Sequence, residues 1–298
     1  MGSQNKHRSG RELIEWHTPD IGTVLRISDT LEQFVTPYQQ VEVLQTPQFG
    51  RLFRLDGCLM TSEADEWFYH ENLAHLAAIS HPEPKTALII GGGDGGSARQ
   101  LLKHPSLEKI VICELDSGVV AMARRHLQQV HQGALDDPKV TLIIADGLEY
   151  VANRREPVDL LVLDLTDPQG HAEALYQAPF FAECARLLGE DGVLSLHLAS
   201  PQYHPERVTE LLARLHSHFA RVRPYLVPIA LYGGIWAMAC ASQRTDPQAI
   251  SREEAEARLQ ARAITGLHYY NGDTHQAVLA LPNFVRQLLP SINDPALP

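Results

Sequence analysis

Residues 88–102, LIIGGGDGGSARQLL, have the pattern of a buried strand that leads through a glycine turn into a helix. Gly91, Gly93 and Gly96 satisfy G-x-G-x-x-G, and Glu114 ends the next apolar run 18 residues after Gly96. This pattern fits NAD and S-adenosylmethionine equally, because both contain a ribose whose two hydroxyls can donate hydrogen bonds to a carboxylate. The stretch therefore predicts a doubly wound α/β domain and leaves the ligand open.

Asp94 lies inside this turn, where a nucleotide phosphate would otherwise be expected. A pyrophosphate needs bare backbone N–H groups at a helix N-terminus, and a nearby carboxylate opposes its binding by about 1 kcal/mol or more. S-Adenosylmethionine has both a carboxylate and an ammonium; without the carboxylate, only the ammonium remains as an ion-pair partner for Asp94. The predicted ligand is a nucleoside with a cationic tail. The alternative is that Asp94 only caps the following helix.

Composition and charge exclude several classes of protein. The 298 residues are 44% hydrophobic, enough for one large domain with or without a small one. The net charge of -11 and the lack of a basic run argue against nucleic acid. The four cysteines lack C-x-x-C spacing, which favours reduced thiols and a cytoplasmic location. No secretory signal is expected at the polar N-terminus, and no membrane span in residues 224–241, which Pro228 and two glycines interrupt.

The chain divides into two patterns. From Thr86 onward, β-branched runs alternate with amphipathic stretches, which is typical of βαβ units, and a closing antiparallel hairpin follows around Gly233. Residues 38–61 instead alternate polar and apolar side chains between glycine and proline turns, and a helix follows them. We therefore predict an antiparallel β domain over residues 1–78, serving oligomerisation and the lid side of the active site, and a Rossmann-like catalytic domain over residues 79–298.

Acidic residues also follow two other predicted strands. Asp164 and Asp167 come directly after the buried run LLVL, in DLTDP. Two carboxylates at this spacing can converge on one cation or divide into a base and an anchor, although Asp-Pro pairs are also ordinary turn residues. Asp146-Gly147 follows the third strand, at a position from which nucleoside-binding sheets commonly contact an adenine amino group.

These motifs, read together, resemble those of the polyamine aminopropyltransferases, the spermidine synthase family. The resemblance extends over residues 38–289 and is strongest in residues 69–116, in DGLEY, in DLTDPQGHAEALY and in HYYNGDTHQAVLALPNFVRQLL. The combination of GGGDGG with D-x-[ST]-D-P is specific. The resemblance implies an N-terminal β domain before a class I methyltransferase-type sheet. It also implies transfer of the aminopropyl group of decarboxylated S-adenosylmethionine to an amine, with methylthioadenosine as the second product.

The resemblance also implies roles for individual residues. The donor side would comprise Gln39, Asp94, Glu114, Asp146, Gly147 and His171. The polyamine side would comprise Tyr69, His70, Asp94, Asp164 and Asp167, with Asp164 as the proton acceptor and Trp16 at the border of the channel. We expect no metal and no cofactor, since the decarboxylated donor is a co-substrate. The expected partners are a cationic amine, the nucleoside donor and further copies of the chain in a homodimer or homotetramer.

Several positions depart from the family pattern, mostly on the acceptor side. The family has glutamine at Met60 and His197, serine at Leu165, proline at His171 and tyrosine at Leu231, if the following tryptophan is aligned with Trp236. Tyr232 would replace that tyrosine only with a shift of one residue. SEADE and DLTDP lean toward the thermospermine synthase branch, so the acceptor stays open between putrescine and a longer amine.

Two other functions fit parts of the sequence. An S-adenosylmethionine-dependent methyltransferase would use the same glycine turn and Glu114. A catalytically weak paralogue that binds polyamine or nucleoside would explain the changed positions Met60, Leu165, His197 and Leu231.

Overall fold

The computed structural model describes residues 10–168 and 170–290. Residues 1–9, which include most of the segment predicted to lack a secretory signal, lie outside the described residues. Within the described part, the N-terminal region forms a two-stranded antiparallel sheet and a four-stranded antiparallel sheet. The first contains β1 (Arg11–Trp16) and β2 (Gly22–Ile27), and the second β3 (Asp29–Val35), β4 (Gln40–Thr46), β5 (Gly50–Leu55) and β6 (Cys58–Ser62).

A larger, mostly parallel sheet follows, with seven strands in the described residues. Its strands are β7 (Thr86–Gly91), β8 (Lys109–Glu114), β9 (Val140–Ile144), β10 (Leu160–Asp164), β11 (Val193–Ala199), β12 (Arg221–Ile229) and β13 (Gly234–Ser242). Their order is β12-β13-β11-β10-β7-β8-β9, and the first five along the chain are parallel. β12 and β13 form the predicted antiparallel hairpin. The α/β fold class is confirmed.

Helices cover both faces of this sheet. They are α1 (Glu66–Ser80), α2 (Gly96–Leu102), α3 (Ser117–His126), α4 (Gln128–His131), α5 (Gly147–Asn153), α6 (Ala178–Leu188), α7 (Pro205–His216), α8 (Arg252–Ala261), α9 (Gly272–Leu279) and α10 (Asn283–Arg286). Successive residues of β7 point to opposite faces: Ile89 belongs to the core beneath α1, and Ile90 to the core beneath α6. No helix between residues 10 and 290, Gln169 excepted, is long and apolar enough to cross a membrane.

The strand order places the functional edge of the sheet. β7 lies between β8 and β10, and the chain leaves β7 toward β8 and β9 before it returns to β10 on the other side. Ligands of open α/β sheets bind at such a switch point, outside the carboxyl ends of the strands. Gly91, Glu114 and Asp164 end these three central strands, so the polar residues predicted from sequence meet at one edge.

Helix α1 connects the two regions and packs against α2, β11 and β12. Thirteen of its fifteen residues are buried, because protein surrounds most of its circumference. The helix therefore belongs by its contacts to the packing of the large sheet, while the domain boundary at residue 78 stays a prediction.

The C-terminal segment is tied to α1 by a buried carboxylate. Glu71 is fully buried and accepts hydrogen bonds from the backbone N–H groups of His268 (2.8 Å), Tyr269 (2.8 Å) and Tyr270 (2.9 Å). Arg262 donates to the Ala78 carbonyl near the end of the same helix. Because Glu71 follows His70 directly, this anchor fixes the helix beside the candidate site.

We expect Glu71→Ala to lower the free energy of unfolding by about 3 kcal/mol or more, because three backbone N–H groups lose their acceptor. Glu71→Gln keeps an acceptor oxygen and is expected to lose less. Urea unfolding followed by circular dichroism measures both. Equal stabilities for the wild type and the alanine variant would contradict this role.

Candidate active site

Two adjoining cavities, of about 230 and 570 Å³, lie between the N-terminal β region and the carboxyl edge of the large sheet. The first extends over the glycine turn, and the second extends toward β1 and β13. They share wall residues from both regions, among them Gln39, Met60, Tyr69, Leu165 and Tyr232. The site is therefore one elongated pocket whose walls come from both parts of the chain.

The glycine turn permits the close approach of strand ends. Gly91 has a φ of 79°, and a Cβ atom there would lie 2.2 Å from the carbonyl oxygen of Asp164. Only glycine tolerates both the left-handed backbone and this contact. The next residue, Gly92, donates its backbone N–H to the same carbonyl at 2.9 Å. The turn is thus fastened to the end of β10.

Glu114 ends β8 at the floor of the first cavity and is 8% exposed. Its two carboxylate oxygens accept from the backbone N–H groups of Gly93 (3.1 Å) and Asp116 (2.8 Å). Burial raises the pKa of this carboxyl group to about 7. Gln39 lines the same cavity, and its amide donates to Asp116 at 2.9 Å. The two residues predicted to hold the nucleoside therefore share one wall, through Asp116.

The remaining predicted donor-side residues also line the first cavity. Asp146 caps helix α5 by accepting from the Leu148 N–H at 2.7 Å, and Gly147 follows it in the wall. His171 lies edge-on to Tyr38, with 5.7 Å between ring centroids. All six residues assigned to the donor side from sequence are thus brought together, while their roles stay predictions.

Asp94 contacts both the start of α2 and the candidate site, while its pairing with a ligand ammonium stays a prediction. One carboxylate oxygen accepts from the Gly96 N–H at 2.9 Å and so supports the start of α2. The other oxygen lies 3.5 Å from Nε2 of His70, and Asp94 lines the first cavity. Asp94 is only 9% exposed, so its second oxygen is available to a ligand more than to bulk water.

Asp164 lines the first cavity and completes an acidic cluster there, next to Leu165, which lines both cavities. Its carboxylate accepts from the Ser97 hydroxyl at 2.6 Å and from the Tyr69 hydroxyl. Burial and the nearby negative charge of Asp94 raise the pKa of this carboxyl group. One polar atom from each of His70, Asp94 and Asp164 lies within 4.8 Å of the others. The three groups can surround one small cation.

The second cavity combines carboxylates with aromatic and apolar walls. Asp167 lines it and forms an ion pair with Arg207 of α7 at 2.9 Å. Trp16 of β1 and Trp236 of β13 lie in the same wall, while the predicted place of Trp16 beside an acceptor channel stays a prediction.

The expectation that Leu231 occupies the acceptor wall is wrong. Leu231 is 1% exposed in the hydrophobic core, whereas Tyr232 lines both cavities. The reason is the turn between β12 and β13, in which Tyr232 N–H bonds to Ile229 and Gly233 N–H to Ala230. This turn directs the tyrosine toward the site, where its hydroxyl donates to the Met60 carbonyl at 2.5 Å.

His197 also lines the second cavity, but other groups already occupy both ring nitrogens. Its Nδ1 accepts from the Trp236 indole at 3.4 Å, and its Nε2 lies 2.8 Å from the Leu165 carbonyl and 2.7 Å from the Tyr176 hydroxyl. Burial lowers the pKa of His197. It is therefore a neutral wall residue with its hydrogen bonds satisfied.

Two site residues escaped the sequence analysis. Glu15 of β1 lines the second cavity and accepts from the Leu59 N–H at 2.8 Å, and burial raises its pKa to about 7. Glu66 bonds to His70 at 2.8 Å from one turn earlier on α1. The i,i+4 spacing of Glu66 and His70 was a usable signal; Glu15 carried none beyond its place in an alternating strand.

Comparisons with known proteins agree with this architecture. A model described as spermine/spermidine synthase domain matches residues 66–252, and one described as spermidine synthase tetramerisation domain matches residues 13–63. A polyamine aminopropyltransferase of Nitrosomonas europaea is 47% identical over 96% of this chain and 87% of its own length. A polyamine aminopropyltransferase of Moorella thermoacetica is 39% identical over 92% of this chain and 95% of its own length.

Solved structures give the same result. A crystal structure of spermidine synthase in complex with the transition state analogue AdoDATO superposes with a TM-score of 0.89 at 36% identity, covering 95% of this chain and 96% of the other. Spermidine synthase from Thermotoga maritima gives 0.87 at 36% identity, with 95% of each chain covered. The fold and site define a Rossmann-like enzyme with an acidic cluster in a pocket at the carboxyl edge of its sheet. The chain belongs to the spermidine synthase family and is an aminopropyltransferase.

Glu114→Gln is expected to change the pH dependence of stability in the unliganded protein. Because the folded-state pKa is raised from 4.5 to about 7, the stability linked to this group is complete below pH 4.5 and is lost as pH rises through about 7. The wild type should therefore lose up to about 3 kcal/mol more than the variant between those limits. Urea unfolding at several pH values measures this difference, and parallel curves would contradict it.

Proposed function

We propose that this enzyme transfers the aminopropyl group of decarboxylated S-adenosylmethionine to a diamine or polyamine and releases methylthioadenosine. The observation that carries the proposal is the second oxygen of Asp94, held with His70 and Asp164 at the end of the nucleoside cavity. Such a group attracts an ammonium and repels a carboxylate.

The donor is expected to lie along the first cavity. Glu114, with Gln39 beside it, would accept hydrogen bonds from the ribose hydroxyls. Asp146 and Gly147 would contact the adenine, and the aminopropyl ammonium would reach Asp94. His171 closes the donor side. Intact S-adenosylmethionine would bring its own carboxylate against this acidic cluster, which argues against the methyltransferase alternative.

The transfer itself needs a neutral amine nitrogen. That nitrogen attacks the aminopropyl carbon bonded to sulfur, the C–S bond breaks with its electron pair remaining on sulfur, and the sulfonium becomes a neutral thioether. An alkyl amine has a pKa of about 10.4, so deprotonation at pH 7 costs roughly 4 to 5 kcal/mol. Alignment of nitrogen, carbon and sulfur contributes much of the remaining acceleration.

Asp164 is the proposed proton acceptor. It lines the first cavity, and its neighbour Leu165 lines both cavities, so an acceptor amine in the second cavity can approach it beside the donor. Its raised pKa, caused by burial and by Asp94, makes it a stronger base than an exposed aspartate. Tyr69 and Ser97 hold its oxygens in place. No metal and no cofactor enter this proposal.

The second cavity suits an aliphatic chain with spaced ammonium groups. Met60, Leu165 and Trp236 offer apolar surface to methylene groups, while Glu15 and Asp167 offer carboxylates. Asp167 is already paired with Arg207, so an incoming ammonium has to share or replace that partner. A diamine such as putrescine or a longer polyamine is the proposed acceptor class.

Self-association and location belong to the same proposal. Apolar side chains of β1 to β3 and their connections are exposed in the single chain, among them Ile14, Trp16, Ile21, Val24 and Val35. Together with the match to a tetramerisation domain, they support a homodimer or homotetramer. The four cysteines are free, as expected in the cytoplasm. Neither nucleic acid nor a membrane is proposed as a partner.

The proposed function predicts a definite product pattern. Purified protein incubated with decarboxylated S-adenosylmethionine and a panel of amines from putrescine to spermine should form methylthioadenosine and one extended amine, identified by mass spectrometry. Asp164→Asn should lower kcat by about 100-fold or more with nucleoside binding retained. Nucleoside binding without any product across the panel would favour the catalytically weak paralogue instead. Near-normal turnover of the variant would exclude Asp164 as the base.

Asp94→Asn separates ligand binding from the support of α2. The amide keeps an acceptor oxygen for the Gly96 N–H, but it loses the charge that pairs with the ammonium. We expect affinity for decarboxylated S-adenosylmethionine to fall about 10- to 100-fold, with affinity for methylthioadenosine nearly unchanged. Calorimetric titration with both ligands measures the two effects. An equal loss for both ligands would indicate a purely structural role.

A further inference from the structure

His70 lies between two carboxylates in the buried part of the site. Its Nδ1 is 2.8 Å from a carboxylate oxygen of Glu66, and its Nε2 is 3.5 Å from Oδ2 of Asp94. The side chains of His70 and Glu66 are 2% and 5% exposed. Both ring nitrogens therefore face an acidic group with little access to water.

The position of the imidazole ring and the partners of Glu66 are both closely defined. A Cβ atom at Gly96 would lie 2.3 to 2.5 Å from three ring atoms of His70, so the imidazole packs directly on the glycine backbone. Arg99 of α2 donates to the other oxygen of Glu66 at 2.6 Å. The two oxygens of Glu66 therefore have different partners, Arg99 and His70. Arg99, Glu66, His70 and Asp94 thus form one connected network.

These contacts specify where protons lie on the imidazole. Nδ1 carries a proton that it donates to the Glu66 carboxylate. If Nε2 carried only a lone pair, that lone pair would face the Asp94 carboxylate, which is repulsive. A proton on Nε2 removes the repulsion and places a positive charge beside Asp94. Burial opposes this charge, but Asp94 and Glu66 outweigh it and hold the pKa of His70 well above its usual value.

The donor ammonium and the proton on Nε2 of His70 would occupy the same position beside Asp94. The reachable atoms of His70, Asp94 and Asp164 lie within 4.8 Å of one another, so one cation among them contacts all three. An ammonium there donates to Asp94, and Nε2 can accept from it only without its own proton. Two positive charges side by side in this buried space would repel each other.

We propose that His70 holds a proton in the unliganded enzyme as a substitute for the donor ammonium, and that binding of the decarboxylated donor expels it. This inference rests on the proposed function. Glu66 acts as a positioning residue, because it orients the ring and supports its charge. The proton returns when the aminopropyl group leaves, so Asp94 has a cationic partner both with and without the donor.

The groups that face His70 come from several elements. Glu66 and Tyr69 belong to its own helix, Asp94 to the glycine turn, Asp164 to β10, and Arg99 acts through Glu66. Asp164 also has a raised pKa and is the other possible source of a released proton. The experiment therefore has to separate His70 from Asp164.

The test compares decarboxylated S-adenosylmethionine with methylthioadenosine, without any acceptor amine. Both ligands contain the nucleoside, so any proton that Glu114 contributes appears with both. Calorimetry in buffers of different ionisation enthalpy gives the number of protons released. We expect the decarboxylated donor to release up to one proton per site more than methylthioadenosine near pH 7. Its affinity relative to methylthioadenosine should rise by up to tenfold per pH unit while His70 is protonated.

Variants assign the proton. Glu66→Gln should abolish most of the extra proton release, and Asp164→Asn should keep it. Glu42→Gln serves as a control that should also keep it, because Glu42 is a partly buried carboxylate that is likewise paired with an arginine, Arg54. Nitrogen NMR of histidine gives an independent readout, with the His70 signals assigned by His70→Gln. Both ring nitrogens should show imidazolium shifts in the free wild type, and Nε2 should move to a lone-pair shift with the donor.

The outcomes are distinguishable. If the decarboxylated donor binds with no more proton release than methylthioadenosine and with unchanged His70 shifts, the proton substitution is overturned and the proposed function stands. Release that disappears in Asp164→Asn and persists in Glu66→Gln also overturns it. If the decarboxylated donor does not bind at all, the proposed function fails and this inference fails with it.

Discussion

The site depends on the approach of three strand ends that bear carboxylates. Gly91 permits the end of β7 to lie against the carbonyl of Asp164, and the same turn places Gly93 on Glu114 and directs Asp94 toward His70. Like charges in so small a buried volume repel one another. The protein offsets this repulsion with backbone N–H donors, with Ser97, and with the network of His70, Glu66 and Arg99.

Under the proposed function, this concentration of negative charge explains why the donor is cationic. The carboxylates favour a cation over an anion, and the adjoining first cavity would hold the nucleoside that carries it. The second cavity has fewer carboxylates, with apolar walls between Glu15 and Asp167.

Much of the fold, and most of the residues that meet in the first cavity, were predictable from local sequence. The alternation of apolar runs predicted the parallel sheet, and the residues that follow β7, β8 and β10 converge because parallel strands end at one edge. The second cavity was less predictable. Tyr232 faces it in place of Leu231, because the turn between β12 and β13 decides which side chain points into the pocket. That turn has no distinctive sequence signature beyond its glycines.

The sequence by itself determined the fold class, the family and the identity of the acidic residues, since these depend on periodicity and on short motifs. Only the tertiary structure decided which partners those residues have. Glu15 from the first strand reaches the second cavity, Arg207 reaches Asp167, and Arg99 reaches His70 through Glu66. Such pairings join elements far apart in the chain, and their effect on charge depends on distance and burial, which no local pattern of residues contains.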